Sequence, residues 1–356
     1  MKTPKMKNPP VVLKKKKLKI LGVCGGNGVI LHPIKRLVIG NIEERGVFRT
    51  QKNYQWYLNF PVPFTDDLMI AKYLFKNPDI IIGAPDCGHS SVLGFTGNKK
   101  RKDPIENASI RMYFQSILDY KPKIWIMENL PALLNAISQE DFKNNFPNYR
   151  FIFHNISMAE LGNSQKTRKR LVIVALDKSL PAELFMAFSD IEKMNELKTV
   201  KELLEDLKED NPQIGNIRES RDKKVKMGKK SFSFGEIEDK WVTDFKKEKY
   251  WPLDLKDLGK GYIPGVYRIF DSNYPQTIRQ DPRQFRPDGK PLSPRELARI
   301  QGIPDSFKLY IPEVLAEGEE DFEYYINKAR ITIAKGAPYE LGLWLRSKIK
   351  LCKQYL

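Results

Sequence analysis

The stretch LKILGVCGGNGVI (residues 18–30) decides how the fold is read. An apolar run leads into a cluster of glycines and then into further apolar sequence, the pattern of a strand, a tight turn and a helix. Outward from it, RLVIGNIE (36–43) reads as a second strand ending at acids. PDIIIGAP (78–85) reads as a third, KIWIMENL (123–130) as a fourth and RLVIVAL (170–176) as another. Helical pattern lies between them, most clearly in IENASIRMYFQSILDY (105–120), where Ile110, Phe114, Ile117 and Leu118 recur at helical spacing. Apolar strands alternating with helices specify an α/β fold: a Rossmann-like, mostly parallel sheet covered on both faces, with ligands beyond the carboxyl ends of its strands. Gly25, Glu43, Cys87 and Glu128 each follow the end of a predicted strand, so four separate segments are expected on one rim.

With 356 residues, 41% of them hydrophobic, the chain can bury a sizeable core and divides most naturally into one large and one smaller domain. Lys and Arg number 61 against 44 acids, a formal charge of +17. Seven of those charges (Lys2, Lys5, Lys7 and Lys14 to Lys17) lie in an N-terminal tail; taking seven from +17 leaves +10 on the body, which points to a polyanionic partner. Cys24, Cys87 and Cys352 are too few and too scattered for a disulfide framework or a four-ligand zinc site, and a reducing cytoplasm is the expected setting. His32, His89 and His154 are singletons with no metal-binding spacing. No stretch approaches the ~20 apolar residues of a membrane span, and the basic N-terminus has no apolar core of a signal peptide, so no membrane partner is expected. From about 190 to 272 the sequence becomes charged and weakly periodic, as in KTVKELLEDLKEDNP and RESRDKKVKMGKK, and then aromatic in FSFGEIEDKWVTDFKKEKYW. This reads as a separate small domain or a large insertion.

Each candidate residue has a plain reading beside a chemical one. A tight turn of glycines after a strand lets backbone approach a ligand, and an acid at the end of the next strand can hold ribose hydroxyls. Glu43 fits that place, with Glu44 and Asn41 as competitors, against a solvated turn acid. Cys87 alone reads as buried packing, but it sits in a Gly- and Pro-rich loop after a buried strand, where a rigid scaffold positions loop residues. Glu128 follows an apolar run, where an acid costs desolvation unless it has a partner or a task; the plain alternative is an acid favoured at a helix N-terminus. Arg168 and Arg170, at alternate positions of RKR, suit an anion or a base edge, against a merely solubilising run.

Taken in order, these segments resemble the DNA cytosine-5 methyltransferase family over most of the chain outside 190–272. VCGGNG (23–28) resembles its glycine-rich cofactor loop, GAPDCGHSS (83–91) its Pro-Cys loop, MENLP (127–131) its Glu-Asn motif and QKTRKR (165–170) its Gln-x-Arg-x-Arg motif. LSPRELARIQGIPDSF (292–307) is the most specific match, and GAPYELGLWL (336–345) resembles the segment that completes the cofactor pocket. The resemblance implies a basic tail (1–17), a catalytic and cofactor-binding domain (18–190), a target-recognition domain (191–272) and a return segment with a C-terminal helix (273–356). It implies a methyl transfer from S-adenosyl-L-methionine to cytosine C5 of double-stranded DNA, on a base flipped out of the duplex. Cys87 would be the nucleophile at C6, Glu128 the group that binds N3 and the amino edge, and Arg170 with Arg168 the groups that hold the base at O2 or an adjacent phosphate. Cofactor contacts would come from Val23, Gly25, Gly26 and Gly28, from Glu43 on the ribose, from Asp66 or Asp67 near the adenine and from Pro85 beside the methyl donor. The basic loop VLGFTGNKKRKDP (92–104) would close over the backbone. A monomer on DNA and a cognate restriction endonuclease are the implied assembly and partner.

The chain also departs from the family pattern. Asp86 separates Pro85 from the nucleophile, and a carboxylate beside a thiol disfavours the thiolate. Asn27 replaces a glycine, Val23 an aromatic and Ala337 an asparagine, and Lys166 rather than Gln165 falls at the motif's Gln position. Two rivals remain: a cytosine-5 methyltransferase acting on tRNA, against which the large insertion counts, and a catalytically inactive DNA-binding protein of the same fold, favoured by Asp86 and the altered loop.

Overall fold

The computed structural model describes residues 17–43, 59–87, 106–191, 197–207, 290–309 and 322–356, with short pieces between 216 and 286. One seven-stranded sheet contains β1 (Ile20–Val23), β2 (Val38–Ile42), β3 (Phe64–Thr65), β4 (Ile80–Gly83), β5 (Ile124–Asn129), β6 (Tyr149–Ser157) and β7 (Lys169–Asp177), in the order β3-β2-β1-β4-β5-β7-β6. The first five strands run parallel to one another, and β7 is antiparallel to both β5 and β6. The start of β7 therefore lies on the same rim as the ends of β4 and β5.

The helices are α1 (Leu68–Leu74), α2 (Ala108–Tyr120), α3 (Gln139–Asn145), α4 (Ala182–Ser189), α5 (Val200–Leu204), α6 (Pro294–Ile300), α7 (Phe322–Lys335) and α8 (Tyr339–Cys352). Alternate strand residues serve different layers. Ile20, Ile82, Ile126 and Val174 pack with Leu184 and Phe188 of α4 and with Leu341, Leu345 and Ile349 of α8. Leu21, Ile81, Trp125 and Ile173 pack with Ala71 of α1, Ile110, Tyr113 and Ile117 of α2 and Phe142 of α3. Burial on both faces is why the strands read as unbroken apolar runs. A third cluster joins Val29, Leu204, Ile278, Leu297, Ile300, Phe307 and Ile333 around α6.

Two local expectations are corrected. The segment after the glycine turn is not an α-helix but a 3₁₀ helix, His32–Leu37, with Pro33 at its start, so β2 begins only at Val38. Two strands of the sheet are absent from the sequence reading: β3, only two residues long, and the edge strand β6, where Arg150, His154 and Asn155 interrupt the apolar residues. Close packing at the rim side is tightest at Gly83, paired with Val23, where a Cβ would overlap the Val23 carbonyl oxygen.

Between 216 and 286 the described residues include a hairpin, β8 (Lys224–Met227) with β9 (Lys230–Ser233), and a short parallel pair, β10 (Tyr267–Arg268) with β11 (Gln284–Phe285). Both ends of this region are tied to α6. The fully buried Glu296 carboxylate accepts hydrogen bonds from Arg218 Nη2 at 2.8 Å and from Arg286 Nη1, and Ser293 Oγ donates to Asn216 Oδ1 at 2.6 Å. Among the described residues no helix is long and apolar enough to cross a membrane.

Candidate active site

The glycine turn is braced from β2. The Gly25 amide donates to Asn41 Oδ1 at 3.2 Å and the Gly26 amide to Glu43 Oε2 at 2.8 Å, while Asn41 Nδ2 bridges to the same carboxylate oxygen at 3.3 Å. Cys24, Gly26 and Gly28 all take positive φ (54°, 57° and 80°), so the chain coils tightly here, and at Gly28 a side chain would run into the Phe60 ring. Glu43 is 5% exposed, and Glu44 lies outside the described residues. Asp66 follows β3 as Glu43 follows β2, across the Ile42–Thr65 pair, whereas Asp67 is committed to capping α1 through the Met69 and Ile70 amides. Val23, expected at the cofactor pocket, has its side chain wholly inside the core, because the last residue of β1 faces the α2 layer. A buried carboxylate beside a glycine-rich turn is a donor and acceptor set that fits a ribose and its attached chain.

The loop after β4 is clamped on three sides. Asn129 Nδ2 donates to the Pro85 carbonyl at 3.1 Å, the Asp86 amide donates to Ser109 Oγ at 2.8 Å, and Asn107 Nδ2 donates to the Asp86 carbonyl at 3.0 Å. Asn107 is the N-cap of α2, its Oδ1 accepting from the Ser109 amide, so the start of a helix fixes the approach to Cys87. Cys24 Sγ adds a contact to the Ser109 carbonyl at 3.4 Å and links the glycine turn to the same cap. Pro85 is buried, Asp86 exposed and Cys87 half-buried. Burial pushes the Cys87 thiol above its ordinary value, the charges of Glu128 and Asp86 push it further, and Arg170 opposes them. The loop 92–104 and His89 lie outside the described residues.

Glu128 lies inside β5 rather than after it, opposite Val172 of β7. Arg170 Nε stands 2.7 Å from its Oε1, and the Arg170 Nη1 donates to the Lys169 carbonyl at 2.8 Å. Arg168 does not join this pair by contact. It is 1% exposed and its Nη2 donates to the carbonyls of Ala334 and Gly336 at 3.3 and 2.7 Å, so its guanidinium is turned towards the end of α7. Its burial works against its charge, as does Arg170, while Glu128 and Cys87 favour it.

Sequence reasoning passed over Gln165 in favour of Lys166 at the motif's first position. Lys166 is exposed, whereas Gln165 is wholly buried: its Nε2 donates to Gln301 Oε1 at 2.6 Å and its Oε1 accepts from the Ile278 amide at 2.9 Å. Ser109 and Asn107 were missed as well, although an Asn two residues before a Ser at the head of an apolar helix is a capping signal.

The fold is a Rossmann-type α/β sheet, and the structure aligns with a putative DNA modification methyltransferase encoded within an E. coli prophage at TM-score 0.61 and 17% identity, covering 94% of this chain and 99% of that one. It aligns also with the Entamoeba histolytica methyltransferase EhMeth (TM-score 0.57, 12% identity, 96% and 99% covered) and with S. pombe Dnmt2 (0.56, 12%, 95% and 99%). In sequence it is 23% identical over 247 residues to the type II methyltransferase M.MthTI of Methanothermobacter thermautotrophicus, covering 67% of this chain and 72% of that protein. The model of the C-5 cytosine-specific DNA methylase family matches residues 48–318, well over half the chain, and the chain belongs to that family.

Proposed function

We propose that this chain methylates C5 of cytosine in double-stranded DNA, using S-adenosyl-L-methionine as the donor. The observation that carries the reading is the Glu128–Arg170 contact on the rim, near enough to Cys87 for both charges to act on its thiol, in a member of this family. DNA is favoured as substrate by the +17 charge and by the type II methyltransferase relative.

Glu43 would hold the ribose hydroxyls, the turn from Gly25 to Gly28 would lie along the cofactor, Asp66 would face the adenine and Pro85 would line the space beside the methyl group. When bound, S-adenosylmethionine supplies an electrophilic methyl on a sulfonium. Cytosine C5 is too weak a nucleophile to take it unaided. Cys87 Sγ would add to C6 as thiolate, moving an electron pair into the ring towards N3, where a proton carried by the Glu128 carboxyl would be donated to N3 while its other oxygen accepts from the amino group. C5 then carries nucleophilic density; once methylated, it gives its proton to water, and the electron pair of that C–H bond re-forms C5=C6 as the C6–sulfur bond breaks, returning Cys87 as thiolate. Arg170 holds Glu128 in place and presents further N–H groups to O2 of the base. None of these groups can reach a stacked base, so the cytosine must be extruded from the duplex. We assign recognition of the surrounding sequence to residues 191–272 and give Arg168 a supporting rather than a base-contacting role.

The test is transfer of labelled methyl from S-adenosylmethionine to duplex DNA or to tRNA, followed by bisulfite sequencing of the DNA. Label at C5 of duplex cytosine, abolished by Cys87→Ser, is the expected result. Label on tRNA alone would move the substrate to RNA, and DNA binding with no transfer to either would mean an inactive binding protein.

A further inference from the structure

The C-terminal end of α7 is capped by side chains from three distant motifs. A helix leaves its last four carbonyls without intrahelical partners, and a buried end needs them satisfied from elsewhere. Here the Thr332 carbonyl accepts from Asn27 Nδ2 at 3.3 Å, across 305 residues of sequence. The Ile333 carbonyl accepts from Gln301 Nε2 at 3.4 Å and from the Gly336 amide at 3.1 Å. Arg168 Nη2 reaches the Ala334 and Gly336 carbonyls, and Gln301 Nε2 also reaches Gly336 at 2.5 Å. A cationic side chain at this end also meets the negative pole of the helix. The glycine turn, the QKTRKR strand and the RIQG segment thus share one anchor.

Asn27 is the member of this set that the family pattern does not supply, since a glycine stands there in its motif. It is 4% exposed, and while its Nδ2 holds α7, its Oδ1 accepts from the Val29 amide at 3.3 Å and shapes the turn from inside. Its backbone has no positive φ, so nothing in the turn requires glycine at this position. Gly336 packs against it closely enough that a Cβ would come within 3.3 Å of Nδ2.

We propose that Asn27 is a positioning residue for the cofactor site, tying the glycine turn to the end of α7 so that cofactor affinity depends on how the C-terminal segment is seated. The proposal rests on the reading that the turn binds S-adenosylmethionine. Asn27→Ala removes both side-chain bonds, and Asn27→Asp keeps the acceptor for Val29 but cannot donate to Thr332. On the full chain, calorimetry with S-adenosylmethionine should show the Kd of both variants raised about five- to tenfold, with the loss in kcat at saturating cofactor smaller than the rise in Kd. Amide exchange at 332–337 should quicken while β5 and β7 stay protected. An unchanged Kd, or a loss confined to kcat, overturns the proposal. Should the variants fail to fold, the wild type answers: saturating S-adenosylmethionine must slow exchange at 332–337, and no slowing overturns it. A wild type that binds no S-adenosylmethionine defeats the functional reading itself, which is a different outcome from wild-type binding with unaffected variants.

Discussion

Arg170 Nε lies 2.7 Å from Glu128 Oε1, and the two side chains keep only 13% and 8% of their exposure. They come from strands paired antiparallel, so the contact is set by the register of β5 with β7 rather than by a loop. Removing one partner of a shielded pair leaves the other charge without compensation, which costs more than the pair itself contributes. Arg170→Ala is therefore expected to lower stability by about 2–3 kcal/mol in urea unfolding. It should also abolish methyl transfer, and Arg170→Lys should restore most of the stability but little of the transfer, because an ammonium cannot hold Glu128 and offer parallel donors to a base. Equal recovery of both by lysine would show that charge alone matters.

Asp86 stands next to Cys87 in a chain where burial already disfavours the thiolate and Glu128 adds to it. Asp86→Asn removes one negative charge without touching the backbone bonds to Ser109 and Asn107. The Cys87 pKa should fall, and alkylation by iodoacetamide at pH 8 should quicken about two- to fivefold relative to wild type. A rate that does not change would mean that the carboxylate is too well solvated to act on the sulfur.

The sheet was legible because strands buried on both faces write themselves as apolar runs, and Ile80–Gly83 and Ile124–Asn129 fall inside the segments read for them. The edge strand Tyr149–Ser157 was not, because Arg150, His154 and Asn155 break its apolar run. The rim was legible as positions: Glu43 and Cys87 follow strands as read, while Glu128 falls one residue before the end of its own. Their partners were not, since Asn41, Asn107, Ser109 and Gln165 act through bonds that span 16 to 136 residues, and sequence order carries no sign of such pairings. Arg168 shows the limit most plainly: its motif spacing resembles that of a substrate contact, while its guanidinium caps a helix more than 160 residues away.

Gly83 pairs with Val23 at the point where the glycine turn and the Pro-Cys loop both begin. A Cβ there would overlap the Val23 carbonyl and crowd the Tyr113 ring, and backbone on one side cannot swing away as a side chain can. Gly83→Ala should cost about 3 kcal/mol of stability and shift the β1–β4 register at its rim end. Chemical denaturation together with amide exchange at Val23 and Ala84 would check this; a variant as stable as wild type would mean that the strands separate there at little cost.

Glu340, in the first turn of α8, has its Oε2 bonded by Asn163 Nδ2 at 2.9 Å and seats where Gly302 leaves room for no side chain. Burial raises its pKa from 4.5 to about 7, against the opposing effects of Asn163 and Arg168. The folded chain therefore holds a proton that the unfolded chain has released between those values, so this group's contribution is complete below pH 4.5 and lost as pH rises through 7. The shift corresponds to at most about 3 kcal/mol, less where water reaches the carboxyl through the cavity of about 360 Å³ that it lines with Lys198, Arg299 and Asp305. His32 works in the opposite sense, since burial and Lys35 lower its pKa to about 4, so that acid below its ordinary 6.5 destabilises the fold. The wild-type profile mixes both slopes, and the informative quantity is the difference from Glu340→Gln, which keeps the acceptor for Asn163 but cannot ionise. That difference, read from urea midpoints, should be small at pH 5, grow in favour of the variant through pH 7 and level off above it. A difference that stays flat would place the Glu340 carboxyl in water rather than in the fold.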